Sequence, residues 1–145
     1  MLWANDWEIG AVAIIICVTL HSIALVFLAR LIFHEKVRRF RQKSLLISSF
    51  MFALFALGAI AIHAIEAAFW GVVYLHVGAA DDFPSAYLHS LGAFTTLGDS
   101  TVVFDMRWRL LIQLEALNGA VALGLTTALL YSSARRIQKI IEPDE

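Results

Sequence analysis

The residues best placed to do chemistry in this chain are a short oxygen-rich run, Thr95-Thr96-Leu97-Gly98-Asp99, and two acids in apolar surroundings, Glu66 and Glu115. The run supplies hydroxyls and backbone carbonyls in close succession, and Gly98 admits a backbone conformation that other residues avoid. The run is small and rich in neutral oxygens, and the Asp99 carboxylate adds a formal negative charge beside them. An ionised carboxylate among apolar side chains is costly, so Glu66 and Glu115 should each face protein or water and find a partner. His63 stands three residues before Glu66, on the same helical face. His89, Ser90 and Asn118 are the other candidate partners. His63, Glu66, His89, Glu115 and Asn118 are expected to support the short helix that precedes Thr95, with exposure of the two acids at the membrane interface as the alternative. The five histidines also form two pairs, His21/His34 and His63/His76, each thirteen residues apart. That is near the spacing of paired haem ligands in membrane cytochromes, but thirteen helical residues leave roughly 140° between side chains, so no face is shared and no cofactor is expected.

The elements that hold these residues must live in lipid. The chain has 145 residues, 60% hydrophobic and only 16% charged, against about 25% charged in soluble domains, and its mean hydropathy is +0.76. One cysteine, Cys17, excludes an internal disulfide framework and a Cys-rich metal site. A net charge of -1 argues against nucleic acid as a partner. The length leaves no room for a separate soluble catalytic domain, and no enzyme activity is expected. Three apolar segments are long enough to cross a bilayer, which takes ~20 residues. They predict a single all-α membrane domain with a first helix over 9–33, an outer helix over 44–79 and a third, inner helix over 108–136. The acidic leader Met1 to Glu8 argues against a cleaved signal peptide.

Charge sets the expected orientation. Arg30, Lys36, Arg38, Arg39, Arg41 and Lys43 lie between the first two segments, and Arg135, Arg136 and Lys139 follow the third. Only Arg107 and Arg109 of the 11 basic residues lie on the other side. The positive-inside rule then predicts a multi-pass protein of the cell membrane with its N-terminus outside and its C-terminus in the cytoplasm. The second segment is longer than the ~30 Å hydrocarbon core requires, so Glu66 is expected near the outer interface with Trp70 and Tyr74 as an aromatic belt.

Between the second and third segments, Pro84 suits the start of a helix, and Asp81 or Asp82 can cap it. Ser85 to Phe94 is apolar and ~15 Å long as a helix, about half a bilayer. The region 84–100 therefore predicts a re-entrant half-helix followed by a polar turn, which is tolerated at membrane depth only where protein or water surrounds it.

The run Ala86-Tyr87-Leu88-His89-Ser90-Leu91-Gly92-Ala93-Phe94-Thr95-Thr96-Leu97-Gly98-Asp99 resembles the pore helix and filter of the potassium-channel superfamily. The likeness continues through Arg109, Leu110, Glu115, Gly119 and Leu123, and spans about Leu45 to Ser133. It is closest to small bacterial channel proteins built as outer helix, pore loop and inner helix. The departure is as informative as the match. Selectivity for potassium in that family is linked to Thr-x-Gly-Tyr-Gly, and here Gly98 is followed at once by Asp99. Thr96-Leu97-Gly98-Asp99 is similar to the shortened filters of bacterial non-selective sodium/potassium channels and of cyclic-nucleotide-gated channels.

The resemblance implies a homotetramer in membrane lipid, with four copies of Thr95, Thr96, Leu97, Gly98 and Asp99 around an axis. Sodium and potassium would pass, with calcium as a further occupant and Asp99 as a divalent-binding ring. Gly119 stands where the family often has its flexible inner-helix glycine, and Gly124 is a second candidate hinge. Close helix packing is the alternative role for both glycines. A non-conducting pore-like scaffold or regulatory subunit is the alternative to a channel.

Overall fold

The computed structural model describes residues 4–33, 45–98 and 106–141. Among them it is built of helices alone: α1 (Ala4–Phe33), α2 (Leu45–His76), α3 (Phe83–Phe94) and α4 (Arg109–Ile141), with a 3-10 turn over Met106–Trp108 leading into α4. Three helices, α1, α2 and α4, are long and apolar enough to cross a membrane. Asp99, Ser100 and the basic run from Lys36 to Lys43 lie outside the described residues.

The bundle carries buried polar side chains among its apolar core, and its outer surface is largely apolar. Asp6, His21, Glu66, Glu115, Asn118 and Thr126 are buried, whereas Ile15, Leu20, Phe27, Leu46, Leu57 and Ile65 are exposed. A soluble domain reverses this arrangement. In lipid it follows directly, because apolar side chains lose nothing by facing out and polar ones must find partners inside.

Contacts fix the relative directions. A Cβ on Gly10 would meet Leu111 and Leu114, Cys17 faces Asn118, and His21 faces Thr126. Residue numbers rise together in these pairs, so α1 and α4 run parallel. His21 meets Glu66 and Leu28 lies against Gly58. One number rises as the other falls, so α1 and α2 run antiparallel.

Two helix ends explain where the predicted boundaries moved. The outer helix, expected through 79, stops at His76. Gly78 takes φ +71°, its N–H donates to the Leu75 carbonyl at 3.1 Å, and the Ala79 N–H donates to the Tyr74 carbonyl at 2.8 Å. This is a Schellman cap, which glycine enters without the strain a Cβ would bring. Asp82 caps α3 by accepting from the Ser85 backbone N–H at 2.9 Å. Pro84, whose missing N–H costs nothing there, sits in the first turn.

Candidate functional site

The twelve residues of α3 lie in a groove between α2 and α4. Gly71 approaches the Tyr87 backbone, where a Cβ would sit 3.4 Å away. Further along, the Ser90 hydroxyl donates to the Ala67 carbonyl at 2.7 Å, and Phe94 meets the His63 ring at 5.5 Å. The partner on α2 falls from 71 to 67 to 63 as the number on α3 rises, so α3 turns back antiparallel alongside α2. Gly119 receives its far end: a Cβ there would lie 2.0 Å from the Phe94 carbonyl oxygen. Of the two roles open to this glycine, the structure supplies close packing. Gly124 has no neighbour within 4 Å of such a Cβ, so packing does not explain it.

Beyond α3 the chain folds back on the helix end. The N–H groups of Thr95, Thr96 and Gly98 donate to the carbonyls of Leu91, Ala93 and Gly92 at 3.0–3.1 Å. Thr96 (φ 59°) and Gly98 (φ 73°) are both left-handed. For Thr96 this is the familiar position after a helix C-cap, where non-glycine residues carry a modest strain. The N–H groups are thus spent on the helix, and Thr95, Thr96, Leu97 and Gly98 are exposed on a single chain. Leu97, an apolar side chain at 86% exposure, stands out most.

The two buried acids occupy different surroundings. Glu115 on α4 is fully buried and accepts from the Tyr74 hydroxyl of α2. The Ser90 hydroxyl of α3, whose single proton is divided between the Ala67 carbonyl and this acid, lies 2.5 Å away. One acid side chain therefore joins three helices, α2, α3 and α4. Glu66 on α2 faces His21 Nδ1 of α1 at 2.8 Å and His63 Nδ1 at 3.3 Å. The pairing of His63 with Glu66 is the one the spacing predicts. His21 comes from another helix, and the two imidazoles lie nearly stacked, 5.2 Å between centroids. Thr126 Oγ1 stands 3.3 Å from His21 Nε2 and 3.1 Å from His63 Nε2.

Other expected supports are placed differently. Asn118 donates to Cys17 Sγ at 3.1 Å, linking α4 to α1. His89 packs edge-on against Tyr74, 5.6 Å between centroids. Trp70 and Tyr74 do not form an interfacial belt. Both are fully buried, because α3 and α1 cover the face of α2 on which they stand. Outside the spanning helices, the Ser85 backbone N–H and then its hydroxyl hold the Asp82 carboxyl below the usual aspartate range.

His21 and Thr126 are the site residues that sequence reasoning missed. A histidine in the middle of an uncharged apolar run is the signal that was present for His21, since such a group needs a partner. Nothing marks Thr126, because a threonine satisfies itself within a helix. No family model matches the chain, and no match was found among curated proteins or solved structures.

Proposed function

We propose that this protein is a homotetrameric pore-loop cation channel of the cell membrane, weakly selective among monovalent cations, with a filter formed by Thr95 to Asp99. The observation that carries this reading is α3: a helix too short to cross a bilayer, seated between two that are long enough, ending in an exposed turn whose N–H groups are tied back. Carbonyl oxygens at Thr95, Thr96 and Leu97 are then left to face a cation, with the negative end of α3 aimed the same way. A single chain cannot wall this turn on every side, and exposed irregular backbone is not tolerated in lipid. Four copies around an axis supply the wall. Glu115, held by Tyr74 and Ser90, fixes the height of α3 against α2 and α4. Asp99, following Gly98 directly, provides the outer ring of charge. A cytoplasmic C-terminus is supported by the basic residues that follow α1 in the sequence and by Arg135, Arg136 and Lys139 in the last turns of α4.

Liposome flux tests the reading. Sodium and potassium should pass at comparable rates through the reconstituted protein, with external calcium slowing wild type more than the Asp99→Asn variant. Strict preference for potassium rejects the short-filter reading. A folded tetramer that passes neither ion is the scaffold instead, and a stable monomer or dimer in nanodiscs removes the pore. Labelling in sealed right-side-out vesicles should reach Asp81→Cys and miss Arg39→Cys.

A further inference from the structure

The ring formed by Glu66, His21, Thr126 and His63 closes at four points: 2.8 Å and 3.3 Å on the carboxylate side, and 3.3 Å and 3.1 Å on the hydroxyl side. Three members are buried, His21 at 1% exposure and Glu66 and Thr126 at 6%, and His63 is partly buried, its side chain 15% exposed. Glu66 Oε2 and His63 Nδ1 face each other at 3.3 Å, yet neither has a hydrogen-bond partner. Buried polar atoms left in this way call for an explanation, an unplaced ion among them.

Donor counting sharpens the point. If both imidazoles are neutral and give their Nδ1–H to Glu66, both Nε2 atoms are bare lone pairs. Both then face Thr126, whose hydroxyl holds one proton, and one nitrogen is left unsatisfied. With the opposite tautomers, both Nε2–H groups donate to the two lone pairs of Thr126 Oγ1. Both Nδ1 atoms then present lone pairs toward the carboxylate. That arrangement satisfies both imidazoles and the carboxylate once a cation sits among the two Nδ1 atoms and Glu66.

We propose that His21, His63 and Glu66 form a buried binding site for a divalent transition-metal ion of the zinc type, with Thr126 fixing the imidazole tautomers from behind. One ligand atom from each of the three residues falls within 4.8 Å of the others. Tetrahedral zinc, with bonds of about 2.0–2.2 Å, holds neighbouring ligand atoms roughly 3.3–3.6 Å apart; the His63–Glu66 separation of 3.3 Å meets the lower edge of that span, and the His21–Glu66 separation of 2.8 Å must widen to take the ion. Two imidazoles with one carboxylate is a donor set that suits zinc and its neighbours rather than calcium or magnesium. The fourth position is left for water. Thr126 then acts as the outer-shell partner that metal-bound histidines usually have. The ion would pin α1 to α2 and, through Thr126, to α4, which gives the first helix a task the pore-loop reading leaves unassigned. An apolar cleft of about 120 Å³ between α1 and α2, lined by Cys17, Leu20, Ile62 and Ile65, reaches Glu66 from outside the bundle.

The test uses the purified full-length chain, stripped with chelator and titrated with Co2+, and does not depend on ion flux. One Co2+ per chain should bind with the intense visible absorption of a four-coordinate ion, and Zn2+ should displace it. Glu66→Gln, His21→Gln and His63→Gln should each abolish the band at concentrations that saturate wild type. Thr126→Val should weaken binding by roughly 10–100-fold, and Asp99→Asn should leave the band intact. Zinc-edge X-ray absorption on the wild type needs no variant, and should report two imidazoles with oxygen. Absence of the band, its survival in Glu66→Gln and His63→Gln, or a zinc shell of oxygen alone or containing sulfur overturns the proposal. In the first case the ring holds an extra proton in place of the ion.

Discussion

Glu66 and Glu115 are both acids buried on helices long and apolar enough to cross a membrane, but they are answered by different chemistry. Glu115 meets two hydroxyls, from Tyr74 and Ser90. Neither hydroxyl is a ready ligand for a transition metal, so this cage serves position. Glu66 meets two imidazoles. Imidazoles are common ligands of metal ions, so the same burial yields a group that can take up an ion. The contrast shows that a carboxylate in a membrane protein takes its role from the donors around it rather than from its depth.

The largest expected effect comes from breaking the hydroxyl cage. Glu115→Ala withdraws the acceptor shared by Tyr74 and Ser90, and should cost on the order of 3 kcal/mol, read as the greatest drop in thermal midpoint among these variants. Glu115→Gln retains an acceptor oxygen and should lie between. A midpoint equal to wild type in Glu115→Ala would mean that the cage does not hold α3. Next comes Gly119→Ala, which drives a methyl into the Phe94 carbonyl and should cost about 1–3 kcal/mol. Gly124→Ala meets nothing, and should be neutral or gain up to ~1 kcal/mol of helix propensity. If the two glycine variants behave alike, the packing of α3 against α4 is not as described.

The imidazole ring should be quieter in the absence of metal. Glu66→Gln keeps the volume and one acceptor, and should lower stability by about 1 kcal/mol. Its distinguishing mark is that zinc raises the midpoint of wild type and not of this variant. Smallest is Asp82→Ala at the start of α3. The folded carboxyl is held below its ordinary value, about 3.9, so its contribution is complete above that pH and is lost as pH falls through the folded value. The gap in midpoint between wild type and Asp82→Ala should therefore be present at pH 6 and close as the pH is taken below 3. A gap that persists there assigns the effect to something other than the Asp82 carboxylate.

Much of this was legible in the order of residues. Uncharged runs gave the three long helices, Pro84 with Asp82 gave the start of α3, and the i, i+3 spacing gave His63 with Glu66. What periodicity could not supply was which helix faces which. His21 was weighed only against His34, along its own helix, whereas its partners stand on α2 and α4. The aromatic belt failed for the same reason: Trp70 and Tyr74 have the composition of an interface, and only the return of α3 along α2 buries them. Gly78 ended α2 early because one left-handed residue stops a helix that hydrophobicity alone would extend.

The backward run of α3 carries a consequence for how the chain is made. α1 and α2 meet in an antiparallel hairpin and can pair as soon as Glu66 has left the ribosome. α3 cannot complete its shelter so early, since its acceptor Glu115 lies 25 residues beyond Ser90. At 5–20 residues per second, synthesis leaves Ser90 waiting for about 1–5 s. Throughout that interval α3 has α2 but not α4, and its exposed polar backbone must stay in water or under a chaperone. The half-helix is then the last piece to settle, and the arrival of α4 is the event that admits it.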